Sequence, residues 1–228
     1  MTSRRHPSTR AAQALGWVDP ITGGVVPAIH PSVPYVRSEN GKPVKPTYTR
    51  DQNPTYDQAE ALLADLEHGS ASLLFSSGMS AATTVFETLA IGDHVVAPQQ
   101  MYWTIRRWLQ ELAEQQRITL DLVPNGDLDL LGDEVQPGKT KVVWIETPAN
   151  PSGAIREIKS ASAIAHAAGA HVVVDSTVVT PILCRPLELG ADLVMHAATK
   201  QLNGHADVLA GALVTARQDQ FWERCCHE

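Results

Sequence analysis

Short apolar runs alternate with helix-forming stretches along most of the chain, beginning at Asp57. Apolar residues at positions 59, 62, 63 and 66 recur at the spacing of one helix face, and Gly69 ends that helix. Further helices are predicted over residues 78–91, 101–116 and 157–168, and strands over 72–75, 94–97, 118–123, 141–145, 171–175, 191–195 and 208–214. This alternation predicts an α/β fold, a mostly parallel sheet with helices on both faces.

The first 56 residues show little periodicity and are rich in proline. Prolines stand at positions 7, 20, 27, 31, 34, 43, 46 and 54. Proline interrupts helices and cannot donate a hydrogen bond within a sheet, so we expect an extended arm that lies on another surface. The sequence therefore divides into an arm, residues 1–56, and an α/β body, residues 57–228.

Composition and charge narrow the class of protein. Of 228 residues, 43% are hydrophobic and the formal net charge is −7, which argues against a disordered chain and against a general nucleic-acid-binding surface. Three cysteines are too few for a disulfide framework and favour a reducing, cytoplasmic location.

No apolar run approaches the roughly 20 residues of a membrane helix. The basic start lacks the apolar core of a secretory signal, and an arm is favoured over an organelle transit peptide.

In α/β sheets, ligands bind beyond the carboxyl ends of the strands. The segments that follow the predicted strands are residues 76–79, 98–102, 146–150, 175–177 and 196–200. They offer a glycine turn before a helix, an aromatic ring, an amide, a carboxylate and a lysine. A nucleotide-binding domain is a competing hypothesis, but its glycine-rich and Walker motifs do not occur.

Each of these residues has a functional and a structural interpretation. Gly78 opens a helix whose N–H groups attract a dianion, or it forms only a tight turn. Asp175 can hold a protonated heteroaromatic nitrogen or cap the next segment, and a metal site is not predicted because H-x-x-x-H and C-x-x-C do not occur. Lys200 can form a Schiff base if partly desolvated, or lie on the surface. Tyr102 can stack on a flat cofactor ring or belong to the core. Asn150 can donate a hydrogen bond to a cofactor oxygen or simply form a turn.

Five stretches together resemble the Cys/Met-metabolism (trans-sulfuration) family of pyridoxal-phosphate enzymes, and they occur in the family's order. They are residues 48–55 (YTRDQNPT), 75–82 (FSSGMSAA), 146–151 (ETPANP), 174–177 (VDST) and 198–207 (ATKQLNGHAD). The family includes cystathionine γ-synthase, cystathionine β- and γ-lyases and methionine γ-lyase. The resemblance implies the aspartate-aminotransferase fold (fold type I), the cofactor pyridoxal 5′-phosphate, an amino-acid substrate and a homotetramer built as a dimer of dimers.

The resemblance also implies a role for each matched residue. Lys200 holds the cofactor covalently and moves protons, Asp175 keeps the pyridine nitrogen protonated, and Tyr102 stacks on the ring and acts as acid or base on the leaving group. The other implied contacts are Thr177 on the opposite ring face, Gly78, Met79 and Thr199 at the phosphate, Asn150 at the 3′-oxygen, and Tyr48 and Arg50 at the phosphate of the neighbouring subunit. The last pair gives the proline-rich arm an inter-subunit function.

The sequence departs from the usual family pattern near the site. Ala197 stands in place of a serine, Gln201 in place of a tyrosine, and Trp103 in place of a glycine. Family members also continue into a C-terminal small domain, with the arginine that binds the substrate carboxylate, which we expect to be missing here. The implied reaction is γ-replacement or C–S bond elimination on cystathionine, an O-acyl-homoserine or a related amino acid. The alternative is a truncated, non-catalytic cofactor-binding remnant or pseudo-subunit.

Overall fold

A computed structural model describes residues 5–42 and 48–227 of the chain. The chain divides into two compact units, Met1–Leu66 and Glu67–Glu228. The larger second unit contains the sheet, so it carries the strand ends at which a ligand is expected.

The first unit contains the helix α1 (Pro7–Ala12), one turn of 3₁₀ helix (Ala14–Gly16) and most of α2 (Pro54–Glu67). Helix α1 was not predicted, because Pro7 was taken as a helix breaker. Pro7 instead occupies the start of the helix, where its missing N–H is not needed. Helix α2 likewise begins at a proline, three residues before the predicted start, and the Asn53 side chain accepts a hydrogen bond from the Thr55 N–H at 2.8 Å.

The second unit is built on a seven-stranded sheet of order β1-β7-β6-β5-β4-β2-β3. The strands are β1 (Ala71–Phe75), β2 (Asp93–Pro98), β3 (Ile118–Val123), β4 (Thr140–Glu146), β5 (His171–Asp175), β6 (Leu193–His196) and β7 (Gly211–Thr215). Only β7 runs antiparallel to its neighbours, β1 and β6, so the mostly parallel sheet is confirmed. Strand β7 begins three residues later than predicted, because the backbone of Ala210 pairs with Thr199 instead.

Helices cover the sheet and connect its strands. They are α3 (Gly78–Glu87), α4 (Trp103–Glu114), α5 (Leu128–Glu134), α6 (Ile158–Ala167), α7 (Thr180–Leu183), a 3₁₀ turn (Pro186–Leu189) and α8 (Gln220–His227). Helix α3 ends four residues before the predicted end, since Thr88 is its C-cap. Helix α5 was missed because it is short and polar, and its start depends on a cap in which the Asp127 side chain accepts from the Leu130 N–H at 2.9 Å.

Successive strand residues fill two apolar layers, one on each face of the sheet. Val95 and Trp144 pack with α3 and α4, whereas Val96 and Ile145 pack with α5 and α6. Among the described residues, no helix is both long enough and apolar enough to span a bilayer. The strands β1, β2, β4, β5 and β6 run in the same direction and end at one edge, and the predicted functional residues of the α/β body lie at these ends or just after them.

Candidate active site

A cavity of about 430 Å³ lies at this edge of the second unit. All the site residues that were predicted within the α/β body line it, namely Gly78, Met79, Tyr102, Asn150, Asp175, Thr177, Thr199 and Lys200. Tyr48 and Arg50 belong to the first unit. The structure therefore brings eight of the ten predicted residues into one cavity, while the role of each remains a prediction.

Asp175 is a buried carboxyl group at the end of β5. Its Oδ1 atom accepts two hydrogen bonds from Thr177, one from the backbone N–H at 3.0 Å and one from the hydroxyl at 2.5 Å. The Thr177 hydroxyl also accepts from the Ala197 N–H at 2.8 Å. Burial raises the pKa of Asp175, and the Thr177 hydrogen bonds and the charge of His196 oppose that rise. A cationic N–H in the cavity would stabilise this carboxylate in its ionised form.

The turn between β1 and α3 forms one wall of the cavity. Ser77 caps α3, accepting from the Ser80 N–H at 3.0 Å, and the first N–H groups of the helix have no intrahelical acceptor. Gly78 permits a close approach, because a Cβ atom there would lie 2.7 Å from the Cβ of Ala197. The small Ala197 side chain, a departure from the family pattern, therefore packs directly against this turn.

Gly211, which was not predicted as a site residue, also shapes this turn. It opens β7 opposite Phe75, and a Cβ atom on it would overlap the carbonyl oxygen of Ser77 and lie 2.8 Å from the backbone nitrogen of Gly78. The turn can reach its position only because residue 211 has no side chain.

We expect Gly211→Ala to displace the Ser77–Gly78 turn. Overlap with backbone atoms cannot be relieved by a rotamer change, so the free energy of unfolding should fall by about 1–3 kcal/mol. Affinity for pyridoxal phosphate should fall roughly tenfold through the loss of hydrogen bonds to a charged group. Urea denaturation and a cofactor titration measure the two effects.

Gly132→Ala in α5 is the matched control, because a Cβ there meets nothing within 4 Å. Equal effects of the two substitutions would contradict this account.

Lys200 follows β6 on a short turn, in which its N–H donates to the Ala197 carbonyl at 3.0 Å. It is the only lysine among the described residues that line the cavity. The residue is exposed, although it also lines the cavity. The neighbouring Thr199 hydroxyl donates to the Ala210 carbonyl at 3.1 Å, and it would have to leave that partner to donate to a phosphate.

Glu146 lines the cavity and lies in the predicted segment 146–150, but no role was predicted for it. It ends β4 with 4% of its surface exposed. Its two oxygens accept from the N–H groups of Tyr102 and Asn150, each at 2.6 Å. Burial, and next the charge of Asp175, raise its pKa from 4.5 to about 7. Because the folded-state pKa is the higher one, fold stability from this group is complete below about pH 4.5 and is lost as pH rises toward 7.

Another buried acid is paired with a histidine. Glu67 at the end of α2 and His196 at the end of β6 are both 0% exposed, and Oε1 of Glu67 lies 2.6 Å from Nε2 of His196. The other polar atom of each side chain is buried without a hydrogen-bond partner. This pair holds the end of β6, just before the turn that carries Lys200.

Tyr48 and Arg50 lie close together in the first unit. The guanidinium carbon of Arg50 is 5.2 Å from the centre of the Tyr48 ring, and the Arg50 side chain is 81% exposed. Both residues are exposed. Their contact with a neighbouring subunit stays a prediction.

Comparison with known proteins identifies the family. A model of the family described as Cys/Met metabolism PLP-dependent enzyme matches residues 8–226. The chain belongs to this family. The resemblance inferred from the five sequence stretches is therefore confirmed, and pyridoxal phosphate is confirmed as the cofactor of the family.

Individual members of the Cys/Met metabolism family are similar over most of this chain. A cystathionine β-lyase of Coxiella burnetii is 37% identical over 92% of this chain and 54% of its own length. The cystathionine γ-synthase/O-acetylhomoserine (thiol)-lyase of Bacillus subtilis is 37% identical over 96% of this chain and 58% of its own. The chain spans about half the length of these curated relatives.

A solved structure confirms the predicted fold. The crystal structure of cystathionine γ-synthase from Xanthomonas oryzae pv. oryzae in complex with cystathionine superposes with a TM-score of 0.92 at 34% identity, covering 99% of this chain and 58% of the other. The sheet and helices described above are thus the large domain of a fold type I enzyme.

The cavity fits pyridoxal phosphate by its own chemistry. The buried carboxyl group of Asp175 suits the ring nitrogen, and Lys200 suits the aldehyde. The start of α3 at Gly78, which carries no side chain, suits the phosphate. Tyr102, 37% exposed on the cavity wall, offers an aromatic face to a flat ring.

Proposed function

We propose that this chain is the cofactor-binding part of a PLP-dependent enzyme of sulfur amino-acid metabolism. Its substrate would be cystathionine, an O-acyl-homoserine or a related amino acid, and its reaction γ-replacement or C–S bond elimination. The observation that carries this proposal is the meeting of Lys200, Asp175 and Tyr102 in one cavity at the strand ends. The relatives named as cystathionine β-lyase and cystathionine γ-synthase support the substrate class.

Three residues of the chain carry the proposed chemistry. Pyridoxal phosphate, when bound, supplies an electron sink for negative charge at the substrate α-carbon. Asp175 would keep a proton on the ring nitrogen, for which its burial and its orientation by Thr177 are suited. Lys200 would hold the cofactor and move a proton at the α-carbon, and Tyr102 would stack on the ring and exchange a proton with the leaving group.

Contacts from the remaining cavity residues would fix the cofactor. Gly78 and Met79 would donate backbone N–H groups to the phosphate, with Thr199 adding a hydroxyl. Thr177 would pack on the ring face opposite Tyr102, and Asn150 would donate to the 3′-oxygen.

Cofactor labelling followed by an activity assay tests this function. Purified chain is mixed with pyridoxal phosphate, reduced with borohydride and digested, and the modified peptide is identified by mass spectrometry. We expect the label on Lys200, together with release of a thiol or ketoacid from cystathionine or an O-acyl-homoserine. Labelling of other lysines alone would contradict the assignment of the site.

A non-catalytic cofactor-binding subunit is the second candidate function. It is favoured by one observation: none of the described residues that line the cavity is an arginine, so the described cavity wall offers no guanidinium to a substrate carboxylate. Labelling at Lys200 without product release from any of these amino acids would favour this candidate over the enzyme.

We also propose that the arm, residues 1–56, completes the phosphate site of a neighbouring copy through Tyr48 and Arg50, in a dimer of dimers in the cytoplasm. Arg50 is 81% exposed and lies over the Tyr48 ring, and its ion pair with Asp51 is a solvent-exposed contact at 3.7 Å, so the guanidinium is accessible to an anion. Sedimentation at several protein concentrations, with and without pyridoxal phosphate, tests the assembly. A monomer under every condition would contradict it.

A further inference from the structure

Glu146 is a buried acid on the cavity wall to which the roles above assign no task. It lies opposite Asp175 in the parallel register of β4 and β5. Two carboxyl groups at matching positions on neighbouring strands, both buried, repel each other when both are ionised. A neutral side chain would avoid this cost, so the presence of an acid here calls for a compensating interaction.

That interaction is a double hydrogen bond to backbone. Oε2 of Glu146 accepts from the Tyr102 N–H and Oε1 accepts from the Asn150 N–H, both at 2.6 Å. Tyr102 is the N-cap residue of α4 and has no side-chain cap, while Asn150 lies in the loop after β4. Glu146 therefore connects a helix start with a loop through two short bonds.

Only an ionised carboxyl group can make both bonds well. A carboxylate accepts at each oxygen, whereas a protonated acid or a glutamine amide has one of its two terminal atoms occupied by hydrogen. Bonds to an ionised acceptor are also shorter and stronger than neutral ones. The two distances of 2.6 Å fit this description.

We propose that Glu146 is a positioning residue that fixes Tyr102 and Asn150 on the cavity wall through their backbone N–H groups, and that it acts in its ionised form. The inference rests on the proposed function, because Tyr102 and Asn150 are the residues assigned to the cofactor ring and its 3′-oxygen. Glu146 itself need not touch the cofactor.

This role makes the cavity wall sensitive to pH. The pKa of Glu146, raised to about 7, places its ionisation within the physiological range. The other titratable groups that line the cavity are Asp175 from β5, Tyr102 from α4 and Lys200 after β6. Above this pH both bonds are held, and below it one oxygen carries a proton and one bond weakens. Removing the Asp175 charge should lower the midpoint, since that charge helps to raise it.

Amide resonances of the cofactor-free chain, labelled isotopically at tyrosine and asparagine, test the proposal. The N–H signals of Tyr102 and Asn150 should titrate together with a midpoint near pH 7, and the midpoint should move to lower pH in Asp175→Asn. In Glu146→Gln both titrations should vanish, and pyridoxal phosphate should bind roughly tenfold more weakly, the equivalent of one charge-assisted hydrogen bond.

Glu157→Gln is the matched control. Glu157 also accepts two backbone N–H groups, from Lys159 and Ser160, but it is exposed and its pKa is lowered by the Ser160 hydrogen bonds. This variant should leave the Tyr102 and Asn150 titrations and the cofactor affinity unchanged.

Separate midpoints for Tyr102 and Asn150 in the wild-type chain, or titrations that persist in Glu146→Gln, would overturn the proposal. The wild-type and Asp175→Asn titrations keep it testable if Glu146→Gln does not fold. Because the titration needs no cofactor, its failure would leave the proposed function standing. Failure of Lys200 labelling would overturn the proposed function without touching this result.

Discussion

Lys200→Ala should abolish the borohydride-stable adduct that the wild-type chain forms with pyridoxal phosphate. The chain offers no other lysine on the described cavity wall, so no second amine is placed to react there. Product release from any amino-acid substrate should also fall below detection, because the same amine is assigned the proton transfer at the α-carbon. Peptide mapping after reduction measures the first effect, and a thiol or ketoacid assay the second.

Loss of the adduct in Lys200→Ala can be distinguished from loss of the fold. The exposed Lys200 side chain makes no hydrogen bond or ion pair among the described residues, so its truncation should change the free energy of unfolding by less than about 0.5 kcal/mol. Lys159→Ala, an exposed lysine of α6 that lies outside the cavity, is the control and should retain the adduct. An adduct of wild-type yield in Lys200→Ala would refute the assignment of this lysine.

The largest loss of stability is expected from Glu67→Ala. It removes one partner of a fully buried pair and leaves the His196 ring without its hydrogen-bonded carboxyl group. Breaking one side of such a pair costs about 3–5 kcal/mol, since the remaining polar group stays desolvated. Urea denaturation followed by circular dichroism measures this as a lower midpoint at an unchanged slope.

Two further variants show whether the loss of stability comes from breaking the Glu67–His196 pair. Glu114→Ala makes the same change at an exposed position at the end of α4 and should have little effect. Replacing Glu67 and His196 together by leucine removes both polar groups and should recover much of the stability. A loss of under about 1 kcal/mol in Glu67→Ala, or a double variant no more stable than the single one, would show that the pair is not coupled in this way.

The sheet was predictable because its strands are short, Val-rich and bounded by turns. Residues 118–123 and 171–175 form strands within the bounds predicted for them, and the parallel arrangement brings their carboxyl ends to one edge. The cavity then followed from which residues come directly after those ends. Helix ends were less predictable, since Pro7 and Pro54 begin helices by their position and not by an apolar pattern.

Glu146 opens the segment 146–150 that follows a predicted strand, but neither its role nor that of Gly211 could be found in this way. The partners of Glu146 are backbone N–H groups, one of them on a residue 44 positions earlier, and backbone groups carry no sequence signal. Gly211 matters because of a contact with Ser77 that exists only when β1 and β7 are paired. Both effects depend on long-range geometry, whereas residue type and spacing report local structure.

The position of β1 has a consequence for biosynthesis. Its sheet partner is β7, the last strand of the described chain, and the turn that we propose to bind the phosphate follows directly from β1. A growing chain on the ribosome cannot complete that turn until residue 215 has emerged, although residues 76–79 were made much earlier. We therefore expect cofactor loading to wait until β7 has paired with β1, and ribosome-bound chains halted before β7 should not be labelled by pyridoxal phosphate and borohydride at the level of chains that contain β7.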